Sequence, residues 1–423
     1  MKIVNKTLSS GLRVVLVPQK DAVTATMLTL VGVGSNKETK RQNGLSHFLE
    51  HVCFKGTLKR PSAKQINEEF EQIGAITNAF TSDEYTGYYA KGHPRHIEKL
   101  VEMVGDVVIN ATIPDVEVAK EKGVIIEELN MYEDMPQAKV METLSALLYG
   151  DTPAGRSIGG TKETVRSFTR ADIVRYKSTH YTTENTVVAV VGAFDEKTVM
   201  SAIKKTFAAF PKGEKGAYPK VSASTRTETV SAIAKPIDQT HIAIGFPTVP
   251  LGHKDGPALS LLATILGGGM SSQLFHMLRE ELGVAYYVRA EQDPHSTHGE
   301  FTITAGIDTK RVAEVLIAII RVLKERKTAL VPATELSKAR EYNIGMLGMG
   351  LEATDMVAGF YASQLLLTGK IRTPEMVAKE YMKVTPEDIA RVAKGIFTAK
   401  RARLSIVGPT IATDEFEALL KDL

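Results

Sequence analysis

The sequence predicts an α+β protein of two related lobes, each a mostly antiparallel sheet covered by helices. Strand patterns are followed by runs of amphipathic helices, and a polar segment rich in Gly, Pro and Lys interrupts the chain near its middle. A helix-to-strand pattern then occurs twice at the same spacing. We therefore predict an N-terminal lobe over residues 1–212, a linker over 213–225 and a C-terminal lobe over 226–423.

The elements of the first lobe follow from its hydrophobic periods. β-Branched and aliphatic runs predict strands over residues 12–17, 24–33, 76–81 and 85–90. Apolar residues at helical spacing predict helices over residues 44–55, 62–73, 96–109 and 115–132. The last two strands are joined by the polar residues Ser82, Asp83 and Glu84, so we expect them to form a hairpin.

The order of elements begins again after the linker. We predict a strand over 241–246, helices from Gly256 and Ser272, and a hairpin around 285–307. The strongest sign of a repeat is that Gly192 lies 20 residues after Asp172, just as Gly408 lies 20 residues after Asp388. Two unrelated helix–strand units could share such a pattern, but the identical spacing favours a duplication.

The composition argues against several classes of function. With 52 basic and 49 acidic residues the net charge is only +3, so bulk charge gives no support to nucleic-acid or membrane-surface binding. The single cysteine excludes an internal disulfide, which suits a reducing compartment. Because the N-terminus has no signal-peptide pattern and no run approaches 18 apolar residues, we expect a cytoplasmic protein without membrane insertion.

The chemistry of the chain centres on the sequence H-x-x-E-H at 47–51. On a helix, His47 and His51 lie on one face, where both can reach one metal ion at about 2.0–2.1 Å. Glu50 then lies beside the same metal and can take a proton from a metal-activated water. A motif this short also arises by chance. However, its apolar neighbours predict a buried helix, in which His and Glu need partners.

The third metal ligand is predicted on the helix over residues 115–132. Glu121 and Glu128 are two turns apart on one face, so we predict Glu128 as the ligand and Glu121 as a carboxylate that orients a ligand. Glu127 is rotated by about 100° from Glu128, but spacing alone leaves it possible. Ordinary surface charge is the alternative for these glutamates. Two imidazoles and one carboxylate predict one Zn²⁺ per chain, although manganese or cobalt would accept the same ligands.

These residues resemble the pitrilysin, insulin-degrading enzyme and mitochondrial processing peptidase family of inverzincin zinc peptidases. The resemblance covers nearly the whole chain and rests on H-F-L-E-H at 47–51, F-K-G-T at 54–57 and E-K-G-V-I-I-E-E at 121–128. It implies a zinc metalloendopeptidase, a short two-lobed member of the family, and it favours Glu128 over Glu127 as the ligand.

The resemblance also implies residues that contact the peptide substrate. In the first lobe these are Phe54 and an edge strand that pairs with the peptide by β-augmentation, namely Asn78, Ala79, Phe80 and Thr81. An ordinary strand of the hairpin is the alternative for the last four. In the second lobe they are Gly268, Gly269, Arg279 and Tyr286. By resemblance, Arg279 and Tyr286 reach the substrate and the transition state, so we count them with Glu50 and Glu121 as catalytic candidates.

Finally, the resemblance implies that two chains pair as a clamshell. Because this chain carries both the metal motif and the Arg/Tyr pair, we expect a homodimer. The second lobe has no H-x-x-E-H: aligning Gly256 with Gly44 puts Leu259, Leu262 and Ala263 at the metal positions, so one lobe is catalytic. The alternative function is a non-catalytic or heterodimer-dependent subunit of the same fold that binds presequences or acts as a scaffold.

Overall fold

A computed structural model describes residues 2–224, 228–409 and 413–423, and these contain two separate mixed sheets with helices. The strands of the first sheet are β1 Val4–Thr7, β2 Arg13–Pro18, β3 Ala25–Val31, β4 Ile76–Thr81, β5 Thr86–Gly92 and β6 Thr186–Gly192. Their order is β1-β2-β6-β3-β5-β4. Only β2 and β6 run parallel, and the other pairs are antiparallel.

The second sheet repeats this plan, and within the described part of the chain it has no counterpart of β1. Its strands are β7 Val230–Ala234, β8 Gln239–Thr248, β9 Ala285–Pro294, β10 Gly299–Asp308 and β11 Arg403–Gly408, in the order β7-β11-β8-β10-β9. Again one pair, β7 and β11, is parallel and the others are antiparallel. The prediction of an α+β fold with two mostly antiparallel sheets is therefore confirmed.

The helices fall on both sides of the linker. Those before it are α1 Leu45–Cys53, α2 Ala63–Gln72, α3 Ile97–Asn110, α4 Asp115–Asp134, α5 Pro136–Tyr149, α6 Lys162–Ser167, α7 Arg170–His180 and α8 Glu196–Thr206. Those after it are α9 Gly256–Gly267, α10 Gln273–Phe275, α11 Val312–Thr328, α12 Ala333–Gly350, α13 Thr354–Thr368, α14 Pro374–Lys383, α15 Pro386–Ile396 and α16 Asp414–Leu420. None of the described helices is both long and apolar enough to cross a bilayer.

The duplicated segments have the same local structure in both halves. Thr169 caps α7 through a hydrogen bond from the backbone N–H of Asp172, and Thr385 caps α15 in the same way with Asp388. Each helix is then followed by the strand of its sheet that ends at Gly192 or Gly408. The spacing that predicts a duplication thus reflects one capped helix and one buried strand, used twice.

The compact units are not contiguous in sequence. The first contains residues up to Leu129, Ser157–Pro219 and Met349–Arg372, and the second contains Asn130–Arg156, Lys220–Gly348 and the residues from Thr373 onwards. They differ from the predicted lobes in two segments. Residues 130–156, predicted in the N-terminal lobe, belong to the second unit, and residues 349–372, predicted in the C-terminal lobe, belong to the first. The predicted linker has no helix or strand in its described part, and Thr225, within it, lies outside the described residues.

The two segments that differ from the predicted lobes cover sheet faces that would otherwise expose apolar side chains. β3 and β6 are buried along their whole length, so the first sheet needs apolar partners on both faces. One face packs on α1 and α3, and the other packs on Tyr361 and Leu365 of α13. In the second unit, Leu144 and Leu148 of α5 pack in the same way against the sheet.

A buried ion network fixes the loop that follows α1. The Arg60 side chain is 5% exposed and donates to Asp106 at 2.7 Å, to Glu69 at 2.9 Å and to Glu102 at 2.7 Å. Thr57 also donates to Asp106, at 2.6 Å. Arg60 therefore ties the loop that follows α1 to both α2 and α3.

Replacing Arg60 with Met is expected to lower the free energy of unfolding by about 3–5 kcal/mol, because it leaves the buried carboxylate of Asp106 without its cationic partner. Urea denaturation followed by circular dichroism measures this loss. Lys64→Met is the control. It breaks the exposed ion pair with Glu68, whose nitrogen and oxygen are 3.6 Å apart, and is expected to cost less than about 0.5 kcal/mol. Equal losses in the two variants would contradict a structural role for the network.

Candidate metal centre

Helix α1 has a buried apolar face, and the residues of the H-x-x-E-H motif lie beside it. Leu45, Phe48, Leu49 and Val52 are at most 1% exposed and lie in the core of the first unit. The motif residues lie on the remaining face, where the side chains of His47 and His51 are 14% and 21% exposed. The two imidazoles are therefore held by a buried helix and are still reachable from solvent, as a catalytic site requires.

The structure brings His47, His51 and Glu128 together. Their ligand atoms all lie within 4.8 Å of one another. A single oxygen of Glu128, Oε2, lies 3.5 Å from His47 Nε2 and 3.4 Å from His51 Nε2. Ligands about 2.0–2.1 Å from a tetrahedral zinc ion are about 3.3–3.4 Å apart, so the donor set and its spacing fit this metal.

Helix rotation separates the two neighbouring glutamates of α4. Glu128 is half-buried and is one of the three potential metal ligands, whereas Glu127 is exposed and is not one of them. Ile125 is fully buried and fixes which face of α4 turns towards the core. The geometry thus favours Glu128, the choice that the two-turn spacing from Glu121 predicts.

Glu121 lies behind His51, where it can orient the imidazole. Its Oε2 is 3.1 Å from His51 Nδ1, and its Oε1 is 2.7 Å from Lys55 Nζ. Burial raises the pKa of Glu121, but the hydrogen bonds from His51 and Lys55 outweigh it, and the pKa is lowered overall. Sequence reasoning did not assign a role to Lys55, although the F-K-G-T motif contains it.

Glu50 is tied to the edge strand. Thr81 Oγ1 donates a hydrogen bond of 2.6 Å to Glu50 Oε2. Burial raises the pKa of Glu50, and the hydrogen bond from Thr81 and the nearby His51 reduce this rise only in part. The carboxylate is therefore a better proton acceptor than an exposed one, and one of its oxygens is held in place. The contact gives Thr81 a role that its position in a predicted peptide-binding strand did not indicate.

The two histidines differ in their acid–base behaviour in the metal-free chain. Burial, assisted by the nearby His51, lowers the pKa of His47 to about 4. Burial also acts to lower the pKa of His51, but the hydrogen bond to Glu121 and the charges of Glu50 and Glu128 outweigh it and raise the pKa. The buried Nδ1 of His47 has no hydrogen-bond partner among the described residues. His47 is thus a neutral imidazole, the form that binds metals.

The predicted peptide-binding residues of the first unit lie on or beside β4. This strand ends the sheet order, and within the described residues it pairs only with β5. Asn78 and Phe80 are exposed, whereas Ala79 and Thr81 are half-buried on the opposite face. Phe54 is half-buried and packs beside Tyr88, with ring centroids 6.1 Å apart. β4 therefore has the edge position that β-augmentation needs.

The candidates of the second unit lie around a π-helical turn. α10 continues into this turn, His276–Glu281, where the sequence predicts an ordinary helix from Ser272. Arg279 lies in the turn and donates to the backbone carbonyl of Tyr286 at 2.6 Å. The Tyr286 side chain is exposed. Gly268 follows α9 directly, and a Cβ at Gly269 would lie 3.4 Å from the ring of Tyr342. The four candidates are thus near turns and strand ends of this unit.

Comparison with known proteins gives consistent results over both units. Residues 13–162 match the insulinase family (peptidase family M16), and residues 167–343 match the peptidase M16 inactive domain. The chain is 33% identical over 405 residues to the uncharacterized zinc protease YmxG of Bacillus subtilis, a match that covers 96% of this chain and 98% of that protein.

Solved structures share the fold at lower identity. A protease from Helicobacter pylori has a TM-score of 0.89 at 23% identity, over 96% of this chain and 99% of its own. A peptidase M16 inactive-domain protein from Pseudomonas fluorescens also has a TM-score of 0.89, at 19% identity, over 97% of this chain and 99% of its own. These structures show the shared fold, and the sequence matches, which confirm the resemblance drawn from the motifs, show that the chain belongs to peptidase family M16.

Proposed function

We propose that this chain is a zinc-dependent endopeptidase that hydrolyses peptides or unfolded, presequence-like segments. The observation that carries the proposal is the cluster of His47, His51 and Glu128 with Glu50 on the same helix. Its relatives are named zinc proteases, which supports the proposal as well. A protein that only bound presequences or served as a scaffold would not need three potential metal ligands with the half-buried carboxylate of Glu50 beside them.

The chain would hold one Zn²⁺ through His47, His51 and Glu128. When bound, zinc would polarise the peptide carbonyl and lower the pKa of water, so that water can lose a proton and act as a nucleophile at neutral pH. Glu121 would accept a hydrogen bond from the Nδ1–H group of His51, which leaves Nε2 directed at Glu128 and free for the metal. Lys55 supports this arrangement because its ammonium group keeps Glu121 ionised.

Glu50 would be the general base and acid. Its carboxylate takes a proton from the attacking water and delivers it to the nitrogen of the leaving amine. The raised pKa suits both transfers, because a carboxylate that is too acidic would hold the proton poorly. The hydrogen bond from Thr81 keeps one oxygen occupied and leaves the other for the water.

The substrate would bind as an added strand at β4. An unpaired edge offers backbone N–H and C=O groups, which recognise an extended peptide whatever its sequence. In the second unit we propose Arg279 and Tyr286 as the residues that anchor the substrate backbone or stabilise the developing oxyanion. This preference for extended chains is the reason why we propose unfolded segments rather than folded proteins as substrates.

A cytoplasmic location and a homodimer are also proposals. Both the metal motif and the Arg279/Tyr286 pair are present in one chain, so a second type of subunit is not needed to complete the set of residues. The size of the purified species, measured together with its activity, distinguishes a homodimer from a protein that is active only with a different partner.

Removal of the metal tests the proposed function directly. Elemental analysis of the purified protein is expected to find about one zinc ion per chain. Treatment with a chelator is expected to stop cleavage of an unfolded peptide, and added Zn²⁺ is expected to restore it. A protein that contains no metal, or that cleaves equally well after complete removal of the metal, would contradict the proposal.

A further inference from the structure

The first turn of α1 is held by a buried glutamate that the proposed chemistry does not use. Glu38 is 2% exposed, and it lies in the loop before the helix. Its Oε2 accepts the backbone N–H of Gly44 at 2.7 Å, and its Oε1 accepts that of Ser46 at 2.6 Å. These N–H groups belong to the helix start, where no carbonyl of the same helix can pair with them. Glu38 thus binds the start of α1 with both oxygens.

The other side of the helix start is closed by a glycine loop. Gly44 has a φ of 95°, and a Cβ there would lie 2.5 Å from the carbonyl oxygen of Gly159. Asn43 donates to the carbonyl of Ser157 at 2.8 Å. The position of a Cβ on Gly159 lies only 3.9 Å from His47 Nδ1, so the same loop backs the ligand ring. The start of α1 therefore has little room to shift.

The hydroxyl of Ser46 adds a contact that resists rotation of the helix. Its Oγ lies 2.8 Å from the hydroxyl of Tyr176, in the buried interior of the first unit. Ser46 directly precedes His47, so a rotation of the first turn would swing His47 away from Glu128. Glu38 and Tyr176 hold Ser46 through different atoms, its backbone N–H and its side chain.

We propose that Glu38 is a positioning residue of the metal centre: its two hydrogen bonds set the start and the rotation of α1, so that His47 and His51 converge on Glu128. The metal part of this inference rests on the proposed function. Burial raises the pKa of Glu38 to about 6, although the hydrogen bonds from Gly44 and Ser46 act against the rise. Its ionisation at neutral pH therefore opposes folding, which suits a residue retained for geometry rather than for stability.

The experiment compares Glu38→Gln with the matched control Asp106→Asn. Asp106 is also 2% exposed and lies in the first unit, but it binds Arg60 and Thr57 rather than α1. Zinc affinity and the visible spectrum of the Co²⁺-substituted protein are measured where circular dichroism shows folded protein. We expect Glu38→Gln to weaken zinc binding about 10–100-fold and to alter the cobalt spectrum. We expect Asp106→Asn to lower the melting temperature without changing either readout.

A second variant and a metal-free readout keep the outcome decisive. Glu38→Asp retains the charge but is too short to reach both N–H groups, so it should shift the cobalt spectrum in the same direction if Glu38→Gln does not fold. In the metal-free protein, amide hydrogen exchange in α1 should be faster in the Glu38 variants and unchanged in Asp106→Asn. Wild-type metal binding and exchange in both Glu38 variants, or equal effects of Asp106→Asn, would overturn the positioning role. Absence of metal from the wild type would instead count against the proposed function.

Discussion

Glu50→Gln is expected to lower kcat for peptide cleavage by about 10²–10⁴-fold while the protein keeps its zinc. The amide has nearly the same shape as the carboxylate and can still accept the hydrogen bond from Thr81, so the site should retain its structure. It cannot take a proton from water, however, and the step that starts hydrolysis is lost. The measurement is steady-state cleavage of an unfolded peptide, which gives kcat, together with elemental analysis.

The control for this experiment is Thr81→Val. It removes the hydroxyl that donates to Glu50 but leaves the carboxylate in place, so we expect a smaller loss of kcat than in Glu50→Gln, with zinc again retained. A variant Glu50→Gln with the turnover of the wild type would exclude Glu50 as the base. An inactive wild-type protein that contains zinc would favour the alternative of a presequence-binding or heterodimer-dependent subunit.

Local patterns predict helix α1 and its potential ligands well, because the features that define them lie within a few consecutive residues. The spacing of His47, Glu50 and His51 is set by the pitch of one helix. Leu45, Phe48 and Val52 fix the buried face of that helix, so the opposite face follows from the sequence. The choice of Glu128 required one further step, namely the assumption that Glu121 and Glu128 share a face across two turns, and the geometry agrees with it.

Contacts between elements that are distant in sequence are not predictable in this way. Thr81 reaches Glu50 from a strand 31 residues away, and Lys55 reaches Glu121 from another helix end. No local pattern specifies such a pairing, since it depends on how a strand and two helices pack. The same limit explains why the sequence predicts two contiguous lobes, whereas α5 and α13 pack on sheets formed mostly by the other half of the chain.

The helix-to-strand pattern that occurs twice in the sequence corresponds to the same local structure in both halves of the chain. Asp172 and Asp388 both complete a capping box at a helix start, and the glycine 20 residues later ends the next strand in both cases. The metal residues were not shared by the two halves. At the corresponding positions of α9, Leu259 and Leu262 are at most 1% exposed and lie in the core of the second unit. One unit thus carries the metal-type cluster, and the other carries Arg279 and Tyr286.

The prediction that best separates metal binding from surface charge compares two adjacent glutamates. Loss of a residue that orients a ligand typically weakens metal binding about 10–100-fold. Glu128→Gln is expected to weaken zinc binding by more than this, because a neutral amide replaces the only charged ligand. Glu127→Gln makes the same chemical change one residue away, on the exposed side of α4, and is expected to bind zinc as the wild type does.

Competition with a chromogenic chelator measures both zinc affinities, and circular dichroism checks that α4 and the fold are retained. The comparison is matched in charge, size and helix, so a general effect of losing one carboxylate would appear in both variants. Weaker binding in Glu127→Gln than in Glu128→Gln would show that α4 is rotated relative to the geometry described. Equal and unchanged binding in both would mean that the oxygen 3.4 Å from His51 Nε2 is not a ligand, and that the metal is completed by another group.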